Sequence, residues 1–212
     1  MLSFFNILFL INFYFKVKLN FIKIYFYIDF LNFSSNFNKQ MKALLIIDML
    51  NDFIKPDGAL YCGKRAEEII PEIERLKKEF KEKGYPIIYL CDAHDPNDEE
   101  FSAFTPHCIK GTKGAQVIDE LSPAGDDLVI YKTRFSGFYR TDLEAVLRSL
   151  GVEELYLTGV CTSICVMDTA ADAFYRGFKI KIPVKAVADF DEEFHNFALK
   201  RLEKVYKAEL IY

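Results

Sequence analysis

The chain has 212 residues, 51% hydrophobic and 27% charged, with 27 Lys+Arg against 31 Asp+Glu for a net charge of −4. That length suits one domain of ordinary size. The composition can bury a core, which excludes a wholly disordered chain or a collagen-like repeat. No polybasic stripe breaks the charge balance, so nucleic acid is excluded as the expected partner. Five cysteines at irregular spacing do not form the even-numbered framework of a small secreted domain. They read as reduced thiols in a cytoplasmic protein.

The composition breaks near residue 41. Residues 1–40 hold 10 of the 21 phenylalanines, no Gly, Ala or Pro, and only Lys16, Lys18, Lys23, Lys39 and Asp29 as charges. They form a Phe-rich extension outside the expected fold, and three readings compete for it. A membrane anchor over residues 4–15 is interrupted by Asn6 and Asn12. Lys16 and Lys18 then end it, short of the roughly 20 residues that span a bilayer. A signal peptide lacks its basic leader and small-residue cleavage site. The bias toward Phe, Ile, Asn, Lys and Tyr, the residues of A/T-rich codons, favours translated upstream sequence before a protein that begins at Met41. No membrane role is expected for residues 41–212.

From residue 41 onward, apolar runs alternate with amphipathic stretches. Residues 43–47 form a buried strand ending at Asp48. Residues 67–83 place Ile69, Ile73, Leu76 and Phe80 at helical spacing, with Gly84 as the stop. A second strand spans 86–91, followed by a long polar loop over 92–114 and a short helix over 116–121. A third strand covers 127–132. Thr141 caps a helix through Leu150, with Leu143, Val146, Leu147 and Leu150 on one face and Gly151 after it. A fourth strand lies at 154–158, a helix at 163–176 closed by Gly177, and a fifth strand within 178–188. A helix over 191–206 turns Phe194, Ala198, Leu202 and Val205 inward, and 208–212 is a last strand. This alternation predicts one α/β domain with an open, mostly parallel sheet flanked by helices on both faces.

Ligands of such sheets bind outside the carboxyl ends of the strands. Asp48, Asp92 with His94, Lys132 and the turn 159–165 all arrive at that edge. Singly, Asp48 reads as a turn cap, Lys132 as a solvated charge and Cys165 as a small buried apolar residue. Together they form an activated nucleophile: Cys165 near a helix N-terminus and an ammonium, with Asp48 to take its proton. The same turn offers backbone N–H groups to an oxyanion. Asp92, His94, Glu100 and His107 supply two carboxylates and two imidazoles, a donor set suited to one Zn²⁺, Mn²⁺ or Fe²⁺ ion. The alternative is an ordinary polar turn. His195 reads as a solvated surface residue. Cys161 and Cys165, in C-x₃-C spacing, invite a redox reading. Cys62, Cys91 and Cys108 read as structural, although a zinc held by Cys91 and Cys108 with the histidines is also open.

The segments DMLNDF (48–53), DAH (92–94), PHCIKGTKGA (106–115), YKTRFSGFYRTDL (131–143) and LTGVCTSICVMDTA (157–170) resemble, in order, the nicotinamidase branch of the isochorismatase-like cysteine hydrolases. The resemblance covers residues 41–212. It implies the three-layer isochorismatase-like sandwich and a triad of Cys165 as nucleophile, Asp48 as base and Lys132 as the lysine. It also implies a cis peptide before Cys161 and oxyanion donors at the amides of Cys161 and Cys165. The metal ligands it implies are Asp92, His94, Glu100 (or its neighbour Glu99) and His107, with zinc favoured over manganese or iron. Phe53, Phe104 and Tyr139 fall at positions around a pyridine ring. Phe104 stands where many members carry Trp. The implied activity is hydrolysis of nicotinamide, and of pyrazinamide, to the acid and ammonia, in NAD salvage. Another small amide of the same superfamily is the alternative substrate. Homo-oligomerisation is left open.

Overall fold

The computed structural model describes residues 40–212. The readings of the Phe-rich segment fall on residues 1–39 and lie outside the described residues. Met41–Tyr212 forms one compact unit. Its strands are β1 (Met41–Ile47), β2 (Ile87–Asp92), β3 (Leu128–Lys132), β4 (Val152–Val160), β5 (Lys179–Pro183), β6 (Val187–Ala188) and β7 (Glu209–Ile211). They make a single sheet in the order β3-β2-β1-β4-β5-β7, with β6 paired to β4, and every pair is parallel. The expected open parallel sheet is therefore present.

Strand β1 shows how the layers form. Successive side chains of a strand point to opposite faces. Ala43, Leu45 and Ile47 enter one core, and Leu44 and Ile46 enter the other. The first core is covered by α4 (Leu143–Ser149), α5 (Met167–Tyr175) and α6 (Glu192–Lys204), through Leu143, Leu147, Ala170, Ala173, Leu199 and Leu202. The second is covered by α1 (Asn51–Ile54), α2 (Lys64–Glu68) and α3 (Ile70–Glu82), through Phe53, Ile54, Ala66, Ile73, Leu76 and Phe80. A strand buried on both faces reads as a continuous apolar run, as MKALLII does.

Five expectations about elements need correction. The helix expected over 67–83 divides at Ile69 into α2 and α3. Pro71 cannot donate a backbone hydrogen bond, so it sits in the first turn of a new helix. The strand expected within 178–188 divides likewise after Pro183. A 3₁₀ turn, Val184–Ala186, carries the chain to β6 beside the end of β4. Residues 116–121 hold only a 3₁₀ turn, Asp119–Leu121. On α6 the inward residues are Ala198, Leu199 and Leu202, while Phe194 and Val205 are exposed. The buried stripe is centred one position later than its periodicity suggests. At α4 the cap position is Asp142, and Thr141 Oγ1 accepts the Leu143 N–H at 3.3 Å.

Gly159 sits where β4 passes β1 beside the carboxyl edge. Its φ is +106°, and a Cβ there would lie 1.9 Å from the Ile47 carbonyl oxygen. Neither the left-handed backbone nor the backbone contact can relax locally. Gly159→Ala is expected to lower unfolding free energy by at least about 3 kcal/mol, read as a lower urea midpoint. A midpoint unchanged from the parent would disprove it.

Candidate active site

Asp48, Asp92 and Lys132 end or follow β1, β2 and β3, and Cys165 lies in the π-turn Thr162–Val166 after β4. Lys132 is fully buried and joins them. Its Nζ lies 2.7 Å from Asp48 Oδ2, 2.5 Å from Asp92 Oδ1 and 3.6 Å from Cys165 Sγ. The Asp92 N–H donates to Asp48 Oδ1 at 2.9 Å, which fixes the other end of that carboxylate. Asp48, Asp92 and Cys165 offer atoms within 4.8 Å of one another. The peptide between Val160 and Cys161 is cis. Ile164 N–H and Val166 N–H both donate to the Cys161 carbonyl, at 3.1 and 3.2 Å. That fold-back brings Cys161 and Cys165 to the same cavity.

Burial raises the Asp48 carboxyl to about 7, helped by the Asp92 charge and opposed by Lys132 and the Cys165 contact. Burial works against the charge on Lys132, yet Asp48 and Asp92 outweigh it and hold the ammonium well above the ordinary lysine range. Burial also works against the charge on Asp92, but Lys132 and His94 keep it below the usual carboxylate range. Burial lifts the Cys165 thiol well above the usual range, and Lys132 only partly offsets this because Asp48 and Asp92 add to the rise. Burial thus favours the thiol at Cys165 and brings Asp48 close to neutrality as a proton acceptor. Moving the proton from Cys165 to Asp48 leaves the net charge unchanged and puts the new anion 3.6 Å from the ammonium.

The second cluster is continuous with the first. Asp92 turns Oδ1 to Lys132 and Oδ2 to the histidines, 3.7 Å from His94 Nε2 and 3.9 Å from His107 Nε2. Glu100 Oε1 is 3.9 Å from each of the same two nitrogens. Glu100 faces the cluster, whereas Glu99 is exposed. His107 Nδ1 lies 2.7 Å from the Thr105 carbonyl, which leaves Nε2 toward the centre. His94 Nδ1 lies 3.2 Å from Asp98 Oδ2, off the line of a good hydrogen bond. Among the described residues, His94 Nε2 and Glu100 Oε2 are buried without a hydrogen-bond partner. Burial and the Asp92 charge raise the Glu100 carboxyl, and burial lowers the His107 imidazole. Donors of a tetrahedral ion bound at about 2.1 Å lie about 3.4 Å apart, and the four imidazole-to-carboxylate separations exceed that by only about half an ångström. Burial works against the charge on His94, but Asp92, Asp98 and Glu100 outweigh it and raise that imidazole. Orphaned buried donors, crowded carboxylates and two imidazoles turned to one centre fit a divalent cation.

Sequence reading missed the residues that hold this loop in place. Asp98 caps the turn Glu99–Ser102 by accepting the Glu100 N–H at 3.0 Å, and Arg134 Nη1 donates to it at 2.9 Å. An Asp before a Glu-rich turn is a readable cap pattern. Asp52, within DMLNDF, accepts the Cys108 N–H at 2.7 Å beside His107. A Cβ on Gly114 would lie 2.1 Å from that carboxylate, so the two motifs fit only as a pair. Asp189, buried after β6, accepts the Ser163 N–H at 2.7 Å and steadies the π-turn. His195 is half-buried with Nδ1 2.9 Å from Thr162 Oγ1, a correction to its solvated reading.

A cavity of about 290 Å³ opens between the two clusters. Asp48, Asp92, Glu100, His107, Cys161 and Cys165 line it, with Phe53, Phe104, Phe135, Ile164 and Phe190 as apolar walls. Phe53 and Phe104 are among its walls, 5.2 and 6.3 Å from the His107 ring. Tyr139 does not line the cavity: it is 44% exposed and stacks against Arg140. Phe135, packed edge-on against Phe104, takes its place. Cys62 also lines the cavity, contrary to its structural reading.

A buried thiol beside an aspartate and a lysine at the carboxyl edge of an open parallel sheet, facing a small cavity, is where such a fold places its ligand site. The chain belongs to the isochorismatase family of hydrolases, whose domain pattern matches residues 42–210. It is 44% identical over 168 residues to PncA of Bacillus subtilis, described as an uncharacterized isochorismatase family protein; the match covers 74% of this chain and 92% of that one. The crystal structure of nicotinamidase PncA from Bacillus subtilis is similar with a TM-score of 0.78 at 40% identity, over 82% of this chain and 100% of that one. Pyrazinamidase of Pyrococcus horikoshii in complex with zinc matches with a TM-score of 0.76 at 33% identity, over 80% and 98%.

Proposed function

We propose that the protein is a metal-assisted cysteine amidohydrolase that converts nicotinamide, and also pyrazinamide, to the acid and ammonia. One observation carries this reading: the single carboxylate of Asp92 joins the Cys165 cluster to the imidazole cluster across one small cavity. A ring nitrogen and a carboxamide on one six-membered ring are two polar groups a ring's width apart. Zinc, manganese or iron held by Asp92, His94, Glu100 and His107 would supply a Lewis acid for the ring nitrogen. Phe53, Phe104 and Phe135 hold the ring faces and exclude water.

Cys165 is the nucleophile and Asp48 its base. Asp48 takes the thiol proton as sulfur attacks the carboxamide carbon. The amides of Cys161 and Cys165 receive the oxyanion. Asp48 returns the proton to departing ammonia, and water then opens the thioester. Lys132 holds Asp92 charged, opposes the rise that burial gives Asp48, and faces the sulfur when it becomes anionic.

A cavity of this size suits one ring, near the lower end of the roughly 300–1,000 Å³ usual for small-ligand sites. Its charged lining is Asp48, Asp92 and Glu100, with no Arg or Lys among the lining residues. An amide bearing its own carboxylate finds no Arg or Lys on the cavity wall and would have to turn that carboxylate to the metal in place of the ring nitrogen, which favours neutral amides over acidic ones. The activity belongs to NAD salvage in the cytoplasm. The five free cysteines suit a reducing compartment, and among the described residues no helix is long and apolar enough to cross a membrane. A protein beginning at Met41 tests the reading, with ammonia release measured on nicotinamide, pyrazinamide and a carboxylate-bearing amide. Metal-loaded protein is expected to release ammonia from the first two only. Stripping the metal with a chelator is expected to raise KM at least tenfold while the melting temperature moves by only a few degrees, since the loop lies outside both cores. No ammonia from either pyridine-type amide would refute the reading.

A further inference from the structure

Cys161 has a sulfur neighbour, and it is not Cys165. Cys62 and Cys161, 99 residues apart in sequence, place their Sγ atoms 3.4 Å apart with one hydrogen between them. Both side chains are buried, and both border the cavity that holds Cys165. The hydrolytic step uses neither side chain, since Cys161 acts through its backbone amide. The two thiols are held differently. Cys161 follows the end of β4, and Cys62 lies in the irregular stretch between α1 and α2, tied by its N–H to the Phe53 carbonyl at 2.8 Å. A disulfide needs about 2.05 Å between the sulfurs, so closure asks for about 1.4 Å of approach, with the irregular segment best able to supply it.

We propose that Cys62 and Cys161 form an oxidisable dithiol in the cavity wall, which a small hydroperoxide entering the cavity closes to a disulfide. One sulfur, as thiolate, attacks the peroxide oxygen and becomes a sulfenic acid as the O–O bond breaks and the first water or alcohol leaves. The second sulfur displaces hydroxide from the sulfenic acid, and its proton leaves with that hydroxide as water. Two thiols are oxidised and one peroxide is reduced, in balance. The contact with Cys62, and burial, keep the Cys161 thiol well above its usual range, so closure quickens as pH rises. The disulfide pulls on the residue whose amide receives the oxyanion and on the segment tied to Phe53. The loss of turnover rests on the hydrolase reading above; the linkage itself does not.

The test exposes the protein beginning at Met41 to hydrogen peroxide at pH 8, blocks remaining thiols, and maps peptides by mass. A peptide pair joining Cys62 to Cys161, 2 Da lighter than its parts, is expected as the main product. Ammonia release from nicotinamide is expected to fall at least tenfold and to return with dithiothreitol. In Cys62→Ser, normalised to its own untreated rate, the reversible loss is expected to disappear. A Cys161–Cys165 pair as the main product, no linked pair, or equal reversible loss in Cys62→Ser would each overturn the proposal. Because the peptide map needs no turnover, an inactive protein would refute the hydrolase reading and leave the linkage to be judged on its own.

Discussion

Cys165→Ala is expected to lower ammonia release at least about 10⁴-fold while the protein stays folded. Only this sulfur lines the cavity beside both Asp48 and Lys132, and no other group of the site can form the thioester. Losing a covalent nucleophile commonly costs several orders of magnitude, with residual rate coming from binding and oxyanion contacts. The structural cost is small. Cys165 is 6% exposed and contributes one sulfur to a core otherwise built from aliphatic and aromatic side chains. Its removal is expected to cost about 1 kcal/mol, a few degrees in melting temperature. Binding of nicotinate, measured calorimetrically on metal-loaded protein, is expected to persist, since Phe53, Phe104 and the imidazole cluster are untouched. A variant that keeps turning over at the parental rate would end the assignment of Cys165.

Lys132→Met is expected to damage stability and turnover together. The ammonium is the one cation between two buried carboxylates, 2.7 Å from Asp48 and 2.5 Å from Asp92. Methionine fills a similar volume and removes the charge. The carboxylates are then left facing each other at low dielectric, which costs about 3–5 kcal/mol until one of them takes up a proton. Protonated Asp48 is no longer a base, so turnover is expected to fall at least about 10³-fold. Urea unfolding measures the first effect and ammonia release the second. Should the variant not fold, Lys132→Arg separates charge from shape. The planar fork exceeds the space of a fully buried ammonium, so charge alone is expected not to restore activity. Parental stability and rate in Lys132→Met would show that the two carboxylates do not depend on the lysine.

The parts of the site that could be read early are those that topology delivers. Asp48, Asp92 and Lys132 end or follow parallel strands, and parallel strands bring their carboxyl ends to one edge whatever the loops do. Their meeting therefore followed from strand order and from apolar runs such as MKALLII. The same logic placed Cys165 on the turn after β4. The parts not read are those set by packing between segments distant in sequence. Nothing local in FSGFYR marks Phe135 rather than Tyr139 as the ring facing Phe104. Nothing near Cys62 names Cys161 as its neighbour. Two breaks were readable and passed over: Pro71 and Pro183 each lack the N–H that a continuing helix or strand needs.

By itself the sequence determined the layered α/β architecture, the approximate places of its strands and helices, and the residue types brought to the carboxyl edge. Short-range periodicity and strand direction encode those features, and each is settled within a dozen residues. Only the tertiary structure decided that burial raises the Cys165 thiol, that Asp92 shares its two oxygens between Lys132 and the histidines, and that Glu100 rather than Glu99 faces them. Those outcomes depend on distances and desolvation summed over segments far apart in the chain, and no local pattern carries that sum.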